Sequence, residues 1–288
     1  MPTFVINRRG LLRSVAGLGL AGLAGAAGMF KHALGVQLYT VRNTIGQAED
    51  ETLKRIAEIG YTELETTGRD DLSRISPMLA KYKLKAVSTH LDPTLVHGSG
   101  NPDLAKPIAT AKQYGVPYLV FPYLMPNDRG DADVYKKLSD KLNSAGEQCH
   151  SAGITFCYHN HAFEFGGAAG QRAIDVFDQH LDKKLVNFEV DVFWVSVAGN
   201  DPVQILNKYK GRVPLVHLKD KLTGAPVKFE ESVPKETFKE VGSGSLDFHA
   251  ILKAAEANGA KHYFVEQDQT PGDPIDSLAK SYQYLRSL

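Results

Sequence analysis

Eight short apolar runs are spaced along the chain, over 34–40, 61–65, 84–90, 118–121, 154–158, 185–191, 213–219 and 263–266. Their β-branched and aromatic content predicts strands. Between them the apolar residues recur at helical spacing, over 49–59, 72–82, 102–114, 132–152, 171–180, 202–209, 246–258 and 275–285. Leu53, Ile56 and Ala57 form the stripe of the first of these helices, and Val134, Leu138, Leu142, Ala145 and Cys149 that of the fourth. Gly60, Gly115 and Gly153 stop the helices they follow. Asp201 stands as an N-cap before Pro202 at a first helical position. Strand and helix alternate without remainder, which predicts an α/β fold of one domain, a TIM (β/α)8 barrel over 32–288. The polar stretch 220–244 is too long for an ordinary connection and reads as a lid or a surface excursion held by Phe229 and Phe238.

Several of the strands end in charge. The run Ile154–Tyr158 is followed by His159, Asn160, His161 and Glu164; 185–191 ends in Glu189 and Asp191, 213–219 in His217 and Lys219, and 263–266 in Glu266. Earlier strands end in Glu65 and His90. Residues two apart share a strand face. If those faces point into the mouth, His159, Asp191, His217 and Glu266 converge. Two imidazoles and two carboxylates suit a divalent ion of the Mn²⁺, Zn²⁺, Co²⁺, Fe²⁺ or Ni²⁺ kind. The alternative is a set of rim charges and histidines that satisfy one another, and for Glu189 and Asp220 that reading stands level with a functional one. His90 and Lys219 are placed to bind substrate hydroxyls or to stabilise negative charge developing on oxygen. Trp194 and Phe193 offer an apolar wall, as substrate contacts or as packing.

Charge and composition narrow the class. Lysine plus arginine equals aspartate plus glutamate at 33 each. Arg8, Arg9, Arg13 and Lys31 precede the first strand, so 29 basic residues face 33 acidic ones from His32 onward. Such a domain has no basic surplus for a phosphate backbone, and nucleic acid is excluded as a partner. The order Asn7-Arg8-Arg9-Gly10-Leu11-Leu12, then an apolar Ala/Gly-rich run to Met29, resembles a twin-arginine export signal. Residues 1–31 are therefore set apart as signal and short linker, with the export machinery as partner and a periplasmic location. An uncleaved signal leaves a membrane tether. Cys149 and Cys157, in a helix and a strand, are expected as packed thiols rather than a bridge.

From Leu34 onward the chain resembles the xylose isomerase-like barrel superfamily, often called sugar phosphate isomerase/epimerase. The matching stretches are GVQLYTVR (35–42), VSTH (87–90), YHNHAFEF (158–165), FEVDVFW (188–194), VPLVHLKD (213–220) and YFVEQD (263–268). The resemblance implies a metal-dependent enzyme acting on a small carbohydrate, and dimers or tetramers are in keeping with it. Members similar to ketose epimerases hold their ion with glutamate, aspartate, histidine and glutamate; by position these become Asp191, His217 and Glu266, with His159 in place of the first glutamate. In that pattern the two glutamates move a proton on opposite faces of an enediolate. With His159 as a ligand, the base falls to His161, Glu164 or Glu189, and Glu65, His90, Glu164 and Trp194 are expected to meet substrate. The leading expectation is a carbohydrate isomerase or epimerase using Glu266, His161, Glu189 and Lys219. A lyase or dehydratase on an oxidised sugar, inositol derivative or 3-keto-glycoside is the second, because similar dehydratases carry a histidine-rich segment here. A non-catalytic exported sugar-binding barrel is the third.

Overall fold

The computed structural model describes residues 30–68 and 72–288; of the export signal and linker expected over 1–31, all but Phe30 and Lys31 lie outside them. Seven parallel strands follow one another around the ring: β1 (Leu34–Gln37), β2 (Glu63–Thr66), β3 (Lys85–His90), β4 (Tyr118–Phe121), β5 (Thr155–His159), β6 (Val186–Asp191) and β7 (Leu215–Leu218). A small antiparallel ribbon comes next, β8 (Asp220–Lys221) with β9 (Phe238–Lys239), and β10 (His262–Val265) then closes the barrel between β7 and β1. The outer helices are α1 (Arg42–Ile45), α2 (Glu49–Ile59), α3 (Leu72–Tyr82), α4 (Ala105–Tyr114), α5 (Ala132–Ser151), α6 (Ala173–His180), α7 (Val192–Val197), α8 (Pro202–Lys208), α9 (Phe248–Ala257) and α10 (Pro274–Ser287). This is the single-domain (β/α)8 barrel that the alternation predicts.

Strand alternation sorts the core into two regions. On β6, Val186, Phe188 and Val190 are buried with the residues that join strands to helices, and Asn187, Glu189 and Asp191 take the other face. Val87, Tyr118, Val120, Cys157, Leu215 and Phe264 form a separate apolar cluster that fills the barrel lumen. Gly35 is required by that filling, since a Cβ there would lie 2.5 Å from the Phe264 ring.

Three local differences from the expected elements have visible causes. The first strand stops at Gln37, because the Gln37 side chain accepts from the Tyr39 amide and turns Leu38–Val41 into a 3₁₀ segment. The helix expected from residue 102 starts at Ala105, whose N–H is taken by Asp103; Pro107 in its first turn costs no helical hydrogen bond. After β6, which ends at Asp191 as expected, Val192–Val197 forms a helix that the apolar pattern does not mark. Asp191 accepts from the Trp194 amide at 3.0 Å and caps α7. Asp201 caps α8 before Pro202, as expected. Cys149 and Cys157 are buried free thiols.

The 220–244 stretch is an excursion with a clasp. Asp220 is 1% exposed, and its carboxylate accepts from the backbone amides of Lys221, Gly242, Gly244, Ser245 and Leu246 at 2.7–3.1 Å. Phe238 anchors the excursion by stacking on Phe193 at 4.6 Å, whereas Phe229 is exposed. Arg129 pairs with Glu231 at 2.9 Å and lies over the Phe163 ring, tying the excursion to the loop after β4. Among the described residues no helix is long and apolar enough to cross a membrane.

Candidate metal centre

At the carboxyl ends of the strands two clusters share one histidine. The first is His159, Asp191, His217 and Glu266, all buried, with one candidate ligand atom from each lying within 4.8 Å of the others. The second is Glu65, His90, Glu189 and His217. Both can be drawn as metal sites, and hydrogen bonding separates them.

In the second cluster the facing atoms other than Glu189 Oε1 are already partnered. Glu65 Oε1 accepts from the Gln37 amide at 2.8 Å and lies 2.6 Å from His217 Nε2, while its other oxygen accepts from the Ser88 hydroxyl. His90 Nε2 sits 2.9 Å from both Glu65 and Glu189. Burial opposes a charge on His90, but Glu65 and Glu189 outweigh it and push His90 up to about 9. This cluster is held together by protons.

The first cluster is different. His159 Nε2, Asp191 Oδ2, His217 Nδ1 and Glu266 Oε2 are all buried and make no well-directed hydrogen bond, their close neighbours being one another and the Lys219 ammonium. Buried polar atoms are rarely left so, and here one atom from each of four residues is orphaned at one place. Their separations are 3.4 Å from His159 to Asp191, 3.8 Å from Asp191 to His217 and 2.9 Å from His217 to Glu266. Spacing of this order is what ligand atoms bonded to one ion at about 2 Å require. The remaining atoms of the same residues are committed. His159 Nδ1 meets the Pro122 carbonyl at 3.0 Å, so that nitrogen carries the hydrogen and Nε2 the lone pair. His217 Nε2 donates to Glu65, which leaves Nδ1 toward the cluster. Asp191 Oδ1 is the α7 cap. The residues present therefore fit a divalent ion.

Electrostatics support the same assignment. Burial alone would raise the Asp191 carboxyl, but Lys219 and the histidines hold it well down, and Glu266 is held down by Lys219 and His217 in the same way. His217 is held well above its usual range by Glu189 and Glu65 against its burial. An ion bound at Nδ1 must displace a proton there, so binding weakens as pH falls.

The structure brings His159, Asp191, His217, Glu266, Lys219, Trp194 and His161 together at the mouth, sets Glu65, His90 and Glu189 beside them through His217, and turns Glu164 away. Lys219 Nζ lies 3.0 Å from Asp191 and 2.7 Å from Glu266, and 5.8 Å from the Trp194 ring. His161 packs against His159, Tyr123 and Trp194 with ring centroids 4.9–5.3 Å apart, and its Nδ1 has no partner. Burial, then His159 and Lys219, keep it well below the usual range and neutral. Glu65, His90 and Glu189 lie in the hydrogen-bonded cluster that orients His217. Glu164 does not enter the mouth; its oxygens accept from the Tyr158 hydroxyl at 2.8 Å and the His161 amide at 2.9 Å. Sequence reading missed Asp268, which accepts from Lys219 at 2.9 Å. Its place two residues beyond Glu266 was the available signal.

Glu164 gives a pH prediction. Burial pushes its carboxyl from 4.5 to about 8, so the folded state binds this proton more tightly than the unfolded chain. Its contribution is whole below about 4.5 and is lost as pH rises through about 8, on the order of 4 kcal/mol across the window. Glu164→Gln is expected to remove that loss, and thermal melting of both proteins from pH 5 to 9 checks it. Parallel melting profiles would contradict it.

A ring of strands ending in ligand-type side chains around one buried set defines a class. The chain belongs to the xylose isomerase-like TIM barrel family, whose model matches residues 53–288. An inosose dehydratase of Geobacillus thermodenitrificans is 30% identical over 159 residues, 52% of this chain and 53% of that protein. The chain thus spans about half the length of the curated relatives it matches. Among solved structures, a sugar phosphate isomerase/epimerase from Parabacteroides distasonis superposes with a TM-score of 0.71 at 24% identity, over 93% of this chain and 96% of that one. The IOLI protein, solved with a zinc atom, gives a TM-score of 0.66 at 18% identity, over 89% of this chain and 98% of that one. At such identities these two show the shared fold.

Proposed function

We propose that the protein is a metal-dependent lyase that eliminates water or an alcohol from an oxidised cyclic polyol, such as a keto-inositol or a 3-keto-glycoside. The observation that carries this reading is the set of four orphaned ligand atoms, which commits His159 to the metal and removes it as a base. Epimerisation through an enediolate needs an acid or base on each face of the carbon. Here His159 and Glu266 both serve as ligands, and His161 is the one neutral, unpartnered base beside them. The resemblance to inosose dehydratases supports elimination over the isomerase reading, and the zinc of the IOLI structure supports the metal.

His159, Asp191, His217 and Glu266 would hold the ion, which when bound supplies Lewis-acid polarisation of a substrate carbonyl. His161 Nδ1 takes the proton from the carbon next to that carbonyl. The electron pair forms a carbon–carbon double bond as the β C–O bond breaks. The Lys219 ammonium, held well above its usual range by Asp191, Asp268 and Glu266 against the effect of burial, gives its proton to the departing oxygen. Water or an alcohol leaves, and solvent returns the His161 proton to Lys219. Tyr123 and Trp194 flank His161 and fix its ring orientation.

The test is product analysis with Zn²⁺- or Mn²⁺-loaded protein on keto-inositols and 3-keto-glycosides. The expected product is a conjugated enone or its tautomer, with one water or alcohol released. A product of unchanged formula would instead establish isomerisation.

A further inference from the structure

Lys219 occupies an unusual position for a residue that must serve a substrate. It is 2% exposed, and its ammonium touches Asp191 Oδ2 and Glu266 Oε2, two of the four atoms assigned to the ion. Both are close contacts, at 3.0 and 2.7 Å. A third carboxylate, Asp268 Oδ1, accepts from the same ammonium at 2.9 Å. Asp268 is the most open of the three, with its side chain 18% exposed against 0% for Asp191 and 6% for Glu266. Its backbone is fixed, because Arg42 donates to the Asp268 carbonyl at 2.7 Å and the Gln267 amide donates to Thr40.

We propose that Lys219 is the resident counter-cation of the metal-free site, and that metal loading moves its ammonium onto Asp268 alone. A dication and an ammonium at the same two oxygens repel strongly where burial excludes water. Asp268 supplies the place to which the ammonium withdraws. That movement is toward the most exposed of the three carboxylates, so the proton donor of the proposed elimination is presented only when the metal is in place. Asp268 is thus a positioning residue that acts through Lys219. The inference rests on the metal site described above.

The test is Zn²⁺ affinity measured by competition with a chromophoric chelator at one fixed pH, on wild type, Lys219→Met, Asp268→Asn and the double variant. Lys219→Met is expected to bind Zn²⁺ at least tenfold more tightly, because the competing cation is gone. Asp268→Asn is expected to bind about tenfold more weakly, because the ammonium has nowhere to withdraw. The double variant should match Lys219→Met, the signature of an effect exerted through Lys219. Unchanged or weaker binding by Lys219→Met overturns the counter-cation role. An Asp268→Asn loss that persists without Lys219 overturns its role as acceptor of the ammonium. If Lys219→Met fails to fold, Lys219→Gln and Asp268→Asn carry the same comparison. Failure of wild type to bind Zn²⁺ at all is a separate result, and it refutes the metal site itself.

Discussion

Asp191→Asn is expected to lower metal affinity by at least about a hundredfold, beyond the 10–100-fold range typical for losing an outer hydrogen-bond partner. Activity on any substrate should fall in parallel. The substitution is selective because the two oxygens of Asp191 do different things. Oδ1 caps α7 through the Trp194 amide, and an asparagine oxygen accepts there equally well. Oδ2 is the orphan facing His159, His217 and Lys219, and an amide nitrogen in its place has no lone pair for an ion. The metal-free variant should therefore keep its α7 cap and fold, less stable by about 1–3 kcal/mol because Lys219 loses one of its three carboxylates. Chelator competition and urea denaturation of the same preparation check both halves. Metal binding that survives the change contradicts the ligand assignment.

The second large effect is on stability. Asp220→Ala is expected to destabilise the protein by about 3–5 kcal/mol, the range for leaving a buried charge-assisted network without its partner. The carboxylate gathers five amides from both ends of the excursion, and alanine leaves them facing one another. Gly244 already lies so close that a Cβ on it would sit 2.4 Å from Asp220 Oδ1. The lost clasp also frees the chain next to Lys219, so turnover should fall even where the variant remains folded. The urea midpoint measures the first effect; a shift equivalent to less than 1 kcal/mol would show that the excursion is held by Phe238 and Arg129 instead.

The barrel was legible because alternation is a local property. Strand by strand, apolar residues on one face and His159, Asp191, His217 or Glu266 at the end of the other placed the charges at a shared mouth. Alternation reports a face and not a depth, however. It could not separate Asp191 and Glu266, whose cluster-facing oxygens make no well-directed hydrogen bond, from Glu65, whose two oxygens are engaged by Gln37, Ser88 and His217. The clasp at Asp220 was illegible for a related reason, since four of its five partners lie 22–26 residues downstream. The helix α7 was missed because VFWVSV is as apolar as a strand, and only its capping by Asp191 turns it. Glu164 was assigned to the mouth because it follows the histidines in sequence, yet the 3₁₀ turn Phe163–Phe165 directs it to Tyr158.

The most direct test of the account is anomalous diffraction from crystals of the protein loaded with Zn²⁺, with data on both sides of the zinc absorption edge. The account predicts one peak bonded to His159 Nε2, Asp191 Oδ2, His217 Nδ1 and Glu266 Oε2, with Glu65 still hydrogen-bonded to His217 Nε2. A peak among Glu65, His90 and Glu189 instead, or no peak in the mouth, would contradict it.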